Sequence, residues 1–123
     1  MATPLDPEMF DPLCPSDLSP FRFGDKWGGM VIRCLEGGPR RFSELRVPLR
    51  GVSAKALTAS LRRLEASGLV RRSEQPGPPR RVEYALTALG RSMLGPIEAV
   101  CAWNREHWDE LLDAREGVAA HPD

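Results

Sequence analysis

Several features that would assign a chain quickly are missing here. No run approaches the ~20 apolar residues of a membrane span. The first residues carry Asp6, Glu8 and Asp11 with no apolar stretch, unlike a signal peptide, so a cytoplasmic protein without a membrane partner is expected. The three cysteines, at positions 14, 34 and 101, are odd in number and widely spaced, which excludes a disulfide framework and suits a reducing compartment. His107 and His121 stand alone, and no cysteine pair has metal-ligand spacing, so neither a metal nor another cofactor is expected. Neither histidine has a recognisable nucleophile or carboxylate partner, and no glycine-rich phosphate loop follows a strand. No residue is assigned a catalytic role, and an enzyme is the weakest reading.

Net charge is absent too. The 123 residues hold 17 basic and 17 acidic side chains, which taken alone argues against a nucleic-acid binder. The distribution argues the other way: from Arg40 to Arg81 there are eleven basic residues against three acidic, a local charge of +8 offset by −8 elsewhere. Such a layout suits one phosphate-facing surface on an otherwise soluble protein. With 41% hydrophobic residues, the length allows one small domain with a modest core.

The stretch from Phe42 to Tyr84 organises the rest. Arg41-Phe42-Ser43-Glu44-Leu45 opens a short helix, and Arg50-Gly51 supplies a turn. Ser53 is placed to cap a second helix, spanning 53–67, in which Leu57, Leu61 and Leu64 recur at helical spacing. Lys55, Thr58 and Arg62 share its opposite face. Gly68 ends that helix. Leu69–Arg72 and Arg81–Leu86 then read as two strands around a stiff Gln75-Pro76-Gly77-Pro78-Pro79 loop. The pattern is mainly α with a small β-hairpin, the order of a winged helix-turn-helix, with the wing at 72–81 and terminal helices for dimerisation.

These residues resemble the HxlR-type winged-helix transcriptional regulators of bacteria. The resemblance rests on an ordered set: Cys14-Pro15, Lys26-Trp27, Gly38-Pro39, Arg41 to Leu45, Gly51-Val52-Ser53 with Lys55 and Leu57-Thr58, Leu64-Glu65, Gly68 to Arg72, Pro78 to Tyr84, Leu86-Thr87 and Gly90. It spans roughly Cys14 to Trp108 and implies a dimeric, sequence-specific DNA-binding regulator without catalytic activity. On this reading Ser53, Lys55, Thr58 and Arg62 face base edges and nearby phosphates in the major groove. Arg41 and Ser43 clamp the backbone, and Arg80 and Arg81 reach the flanking minor groove or its phosphates. The partner is double-stranded DNA carrying an inverted repeat. Arg63 and Arg72 are left out, because their directions suit intramolecular pairing equally well. A reading from another class is a winged-helix protein–protein module without DNA binding. It would make the Lys55, Thr58 and Arg62 stripe acidic or apolar, and the stripe is neither.

Outside this stretch, residues 1–13 are expected to form a disordered tail, 14–115 the domain and 116–123 a second tail. Trp27, Met30 or Val31, Cys34 and Leu35 mark the first core helix. Gly28-Gly29 within it signals either late initiation or space for a partner helix or small ligand. Thr87 caps a short helix through Leu94. Ile97 to about Arg115 reads as one amphipathic helix with surplus apolar surface, so the seam between two copies is expected to use Trp27, Ile97, Cys101, Trp108, Leu111 and Leu112. Three sensing alternatives stay open: an oxidant acting at Cys14, as the resemblance implies for relatives with a cysteine at the matching position, a small molecule near Trp27, or no direct effector.

Overall fold

The computed structural model describes residues 3–10 and 25–120. In these the chain forms α1 (Gly28–Cys34), α2 (Phe42–Leu45), α3 (Ala54–Ala66), a hairpin of β1 (Val70–Gln75) and β2 (Arg81–Leu86), then α4 (Ala88–Arg91), α5 (Leu94–Glu106) and α6 (Trp108–Ala120). Three helices, a two-stranded wing and three further helices are the expected winged helix-turn-helix.

α1 begins directly on the two glycines. The Asp25 carboxylate accepts from the amides of Trp27 and Gly28, each at 2.8 Å, so an acid just upstream satisfies N–H groups that a helix start leaves open. Late initiation is how the chain accommodates Gly28-Gly29, whose entropic cost falls on the first turn rather than the helix interior. α3 has a stop as defined as its start. Ser53 Oγ accepts from the Ala56 amide at 3.0 Å. At the other end Gly68 adopts φ 77°, the Gly68 amide returns to the Glu65 carbonyl, and the Leu69 amide returns to Leu64, the double bond of a Schellman turn. Leu57, Leu61 and Leu64 lie inside, as their spacing predicts.

The hairpin is antiparallel, from Val70 opposite Leu86 to Gln75 opposite Arg81. Only that first pair is buried, so the wing is anchored at its base and projects from the domain. Arg40 pins it further: its amide and carbonyl bond Tyr84 at 2.9 and 2.8 Å, like one residue of a third strand. Thr87 then locks the end of α3 to the start of α4. Its hydroxyl donates to the Gly68 carbonyl at 2.6 Å and accepts from the Gly90 amide at 3.0 Å, while its own amide reaches the Leu69 carbonyl at 3.1 Å.

The terminal segments differ from the expectation in four ways. α4 stops at Arg91 rather than Leu94, because α5 already starts at Leu94 and takes Pro96 in its first turn, where a missing N–H costs nothing. The helix expected to run unbroken from Ile97 to Arg115 breaks at His107, with φ −109° and ψ 18°. The Trp103 ring, 4.9 Å from the His107 ring, and Glu110, 3.0 Å from His107 Nδ1, hold that break from either side. α6 continues to Ala120, beyond the point where a tail was placed. At the N-terminus, Leu5, Met9 and Phe10 lie partly buried against the core, Glu8 pairs with Arg50, and the Arg33 guanidinium sits 5.4 Å from the Phe10 ring centre. Residues 3–10 are therefore attached, because three apolar side chains suffice to hold a segment that has no periodicity. Cys14 lies outside the described residues.

The core gathers α1, the inner face of α3, the base of the hairpin and Ile97 of α5. Gly90 packs directly against the backbone of Leu69. A Cβ there would stand 2.1 Å from the Leu69 carbonyl oxygen, whereas one at Gly95 would meet nothing within 4 Å. Gly90→Ala should therefore lose roughly 3 kcal/mol in urea unfolding, and Gly95→Ala should gain about 0.5 kcal/mol. Cys34 is 1% exposed, and burial pushes its thiol up to about 12 against the partial opposition of Arg40 and Arg33. A neutral native thiol and an unfolded one ionising near 9.0 mean that the unfolded chain binds fewer protons between these values. The contribution is complete below pH 9 and is lost as pH rises towards 12. Urea titrations should show that wild-type stability falls more steeply than that of Cys34→Ala over that window.

Candidate nucleic-acid interface

The outward face of α3 is built as a consequence of its inward one. With three leucines fixing the rotation of the helix, Lys55, Thr58 and Arg62 fall at i, i+3 and i+7 on the far side, beside the capping Ser53. Ser53, Lys55 and Arg62 are exposed and Thr58 is half-buried. Among the described residues neither Lys55 nor Arg62 forms an ion pair. Arg41 and Ser43 are exposed at the start of α2, where the Glu44 carboxylate accepts from the Arg41 amide at 2.8 Å and stands 4.0 Å from the buried Arg40 guanidinium. Arg80 and Arg81 are exposed at the hairpin tip, and Arg80 Nη1 is 3.9 Å from Glu74.

Between α3 and the wing runs a groove of about 380 Å³ lined by Thr58, Leu61, Arg62, Glu65, Arg72 and Tyr84. It places Thr58 and Arg62 beside a part of the wing that the sequence reading did not single out. Arg72 and Tyr84 face each other across the hairpin. Arg72 donates to Glu74 at 3.0 Å and to the Tyr84 phenol, and these two partners, Glu74 first, hold its guanidinium above the ordinary value. The pairing of Arg72 with Tyr84 was accessible from strand alternation counted across the loop; the role of Glu74, which bridges two wing arginines, has no such signal.

The second omitted arginine is also paired. Arg63 donates to Asp25, the same carboxylate that caps α1, and Asp25 also accepts from the fully buried Ser60 hydroxyl at 3.2 Å. One side chain thus joins the start of α1 to two turns of α3. Sequence reading named Lys26 and Trp27 but not Asp25; its position just before a helix was the available clue.

The residues expected at a seam are split. Ile97, 2% exposed, belongs to the protomer's own core and cannot lie on a contact between copies, because the stripe that carries it packs on α1. Trp27 and Cys101 are half-buried against that core, and Cys101 accepts a long hydrogen bond, 3.9 Å, from Arg33. Trp108, Leu111 and Leu112 are half-buried on α6, and Trp103 is 37% exposed on α5. His107 does have a carboxylate neighbour, Glu110, contrary to the expectation. The two sit one helical turn apart at the surface, an arrangement that serves the helix break. Among the described residues no three His, Cys, Asp or Glu side chains converge as metal ligands would, and no helix is long and apolar enough to cross a membrane.

Comparison with known proteins accounts for this arrangement. Residues 22–111 match the HxlR-like helix-turn-helix family. The chain belongs to that family. This HxlR-like protein is 36% identical over 112 residues to the HTH-type transcriptional regulator YtfH of Escherichia coli strain K12, across 91% of its own length and 89% of YtfH. It is 38% identical over 93 residues to an HTH-type transcriptional regulator of Methanothermobacter thermautotrophicus, across 76% and 71% of the two chains. Among solved structures, the redox regulator HypR in its reduced form superposes with a TM-score of 0.67 at 32% identity, covering 79% of this chain and 92% of HypR. The reduced transcriptional regulator YodB of Bacillus subtilis gives 0.60 at 33% identity, covering 66% and 79%. The protein is a winged-helix transcriptional regulator.

If Asp25 positions α3, its removal leaves two helix-start amides open and a buried hydroxyl without an acceptor. Asp25→Ala should cost roughly 2–3 kcal/mol in urea unfolding, and adding Ser60→Ala should recover part of that loss by removing the stranded hydroxyl.

Proposed function

We propose that this HxlR-like regulator binds duplex DNA as a homodimer, with Ser53, Lys55, Thr58 and Arg62 of α3 at base edges and nearby phosphates of the major groove. The observation that carries this reading is how the cations are divided. Arg63 and Arg72, on the flanks, are paired with Asp25 and Glu74, while Lys55 and Arg62, on the outward face, have no carboxylate partner among the described residues. Guanidinium reads guanine in bidentate fashion, so Arg62 is the principal base contact, and Lys55 and Thr58 extend the discrimination. Arg41 and Ser43 add phosphate contacts from α2, and Arg80 and Arg81 add them from the wing along the flanking groove.

Two copies meet through Trp108, Leu111 and Leu112 of α6, with Trp27 and Cys101 at the margin. A two-fold pair of α3 helices then matches an inverted repeat whose half-sites lie roughly 34 Å apart, or a multiple of it. The regulator works in the cytoplasm and performs no catalysis. Likeness to the redox regulator HypR supports an oxidant as effector, with Cys14 as the responding thiol.

Each role has its own signature in a binding titration. Arg62→Ala should cost ~1–3 kcal/mol on the selected operator and relax preference at one position. Arg81→Ala should weaken all duplexes alike and flatten the salt dependence. Equal, sequence-independent losses for both would remove α3 as the reader.

Sedimentation tests the assembly. The wild type should be a dimer at micromolar concentration, and Trp108→Glu with Leu111→Glu should give a folded monomer. A dimer unmoved by that pair of changes places the seam elsewhere.

A further inference from the structure

A second cavity lies on the side of α3 away from the wing. Its volume is about 210 Å³, and Leu64, Leu69 and Met93 give it apolar walls, with Asp25, Ser60 and Arg63 on one side and Ser67 among its lining. Since an apolar cavity of about 150 Å³ takes up benzene, this one has room for a single or fused ring.

The polar groups specify what such a ring should carry. Asp25 already accepts from the Trp27 and Gly28 amides, the Ser60 hydroxyl and Arg63. Three of these donors converge on Asp25 Oδ1 and only Arg63 meets Oδ2, so at most one acceptor site remains on the carboxylate, and the Ser60 hydroxyl points its proton at Oδ1. Arg63 differs: among the described residues only its Nη1 meets a partner, Asp25, and its side chain is 52% exposed, so the remaining donors of a planar fork border the cavity. The cavity therefore has donors in excess. Its complement is a flat apolar body ending in an acceptor, and a carboxylate matches the guanidinium fork best.

The position matters as much as the lining. Asp25 starts α1, Ser67 caps the end of α3, and Met93 precedes the first turn of α5. Leu69, between α3 and the wing, holds Thr87 by its carbonyl, against which Gly90 packs without slack. A molecule wedged among these residues displaces α3 relative to α5, and with it the reading face relative to the second copy.

We propose that this cavity binds a small aromatic carboxylate of one or two rings, and that its occupation lowers affinity for the operator. The regulatory half rests on the DNA-binding function proposed above. The probe is 1-naphthoate, titrated into the full-length protein by saturation-transfer NMR, beside the neutral 1-naphthamide. Saturation at millimolar concentration or below is expected, with the amide at least about tenfold weaker. Arg63→Gln should weaken 1-naphthoate to the level of the amide. Ser67→Phe, which fills the cavity from an exposed position, should abolish binding of both probes.

Operator affinity is measured first without ligand for the wild type and for Ser67→Phe, and each serves as its own reference. Saturating 1-naphthoate should then lower wild-type affinity at least about fivefold and leave Ser67→Phe unmoved. Absence of saturable binding, or binding that survives Ser67→Phe, overturns the site. Binding that leaves operator affinity unchanged overturns the regulation. A wild type that binds no operator even without ligand contradicts the proposed function, and the NMR titration still decides the site.

Discussion

The Asp25 carboxylate is the joint on which the geometry of this regulator depends. It takes two backbone amides at the start of α1 and two side-chain donors from α3, so the core helix and the reading helix share one acceptor. Leucine packing fixes how α3 is rotated, and Asp25 adds a directional restraint that apolar contact lacks. The far end of α3 is held by different means: a left-handed Gly68, the Thr87 hydroxyl on its carbonyl, and Gly90 packed against Leu69. Between them these ties leave the outward face of the helix without structural duties, and that face is where Lys55, Thr58 and Arg62 stand.

Charge is handled with the same economy. A chain of zero net charge places +8 between Arg40 and Arg81 and pairs several of these cations with carboxylates of the fold. Arg63 is held by Asp25, Arg72 by Glu74 and Tyr84, and Arg40 is buried beside Glu44. The α3 cations without an ion pair among the described residues, Lys55 and Arg62, lie on one face. Positive potential concentrated there favours phosphate encounter, while the balancing negative charge elsewhere limits attraction to any polyanion.

How much of this was legible in the sequence depended on whether a feature leaves a local pattern. α3 and the wing were, because leucines at helical spacing, a serine cap, Gly68 and a proline-rich turn each act within a few residues. Arg63 and Arg72, whose directions in the sequence suit intramolecular pairing, are both paired. The helix break at His107 was not legible: apolar residues continue through it, neither glycine nor proline marks it, and ring contacts with Trp103 hold it. Ile97 was assigned to a seam because its stripe looked surplus, when α1 already covers it; which neighbour buries an apolar face is a tertiary fact. The same holds for Leu5, Met9 and Phe10, and for Asp25, whose partners on α3 lie 35 and 38 residues downstream.

The central claim is that α3 reads DNA sequence and that two copies do so together. Selection of bound duplexes from a random pool by the full-length protein tests both parts at once. The result expected is an enriched inverted repeat, with half-sites roughly one helical turn or a multiple of it apart. A pool that retains no sequence preference while binding tightly at low salt would reduce α3 to a phosphate contact and contradict the account.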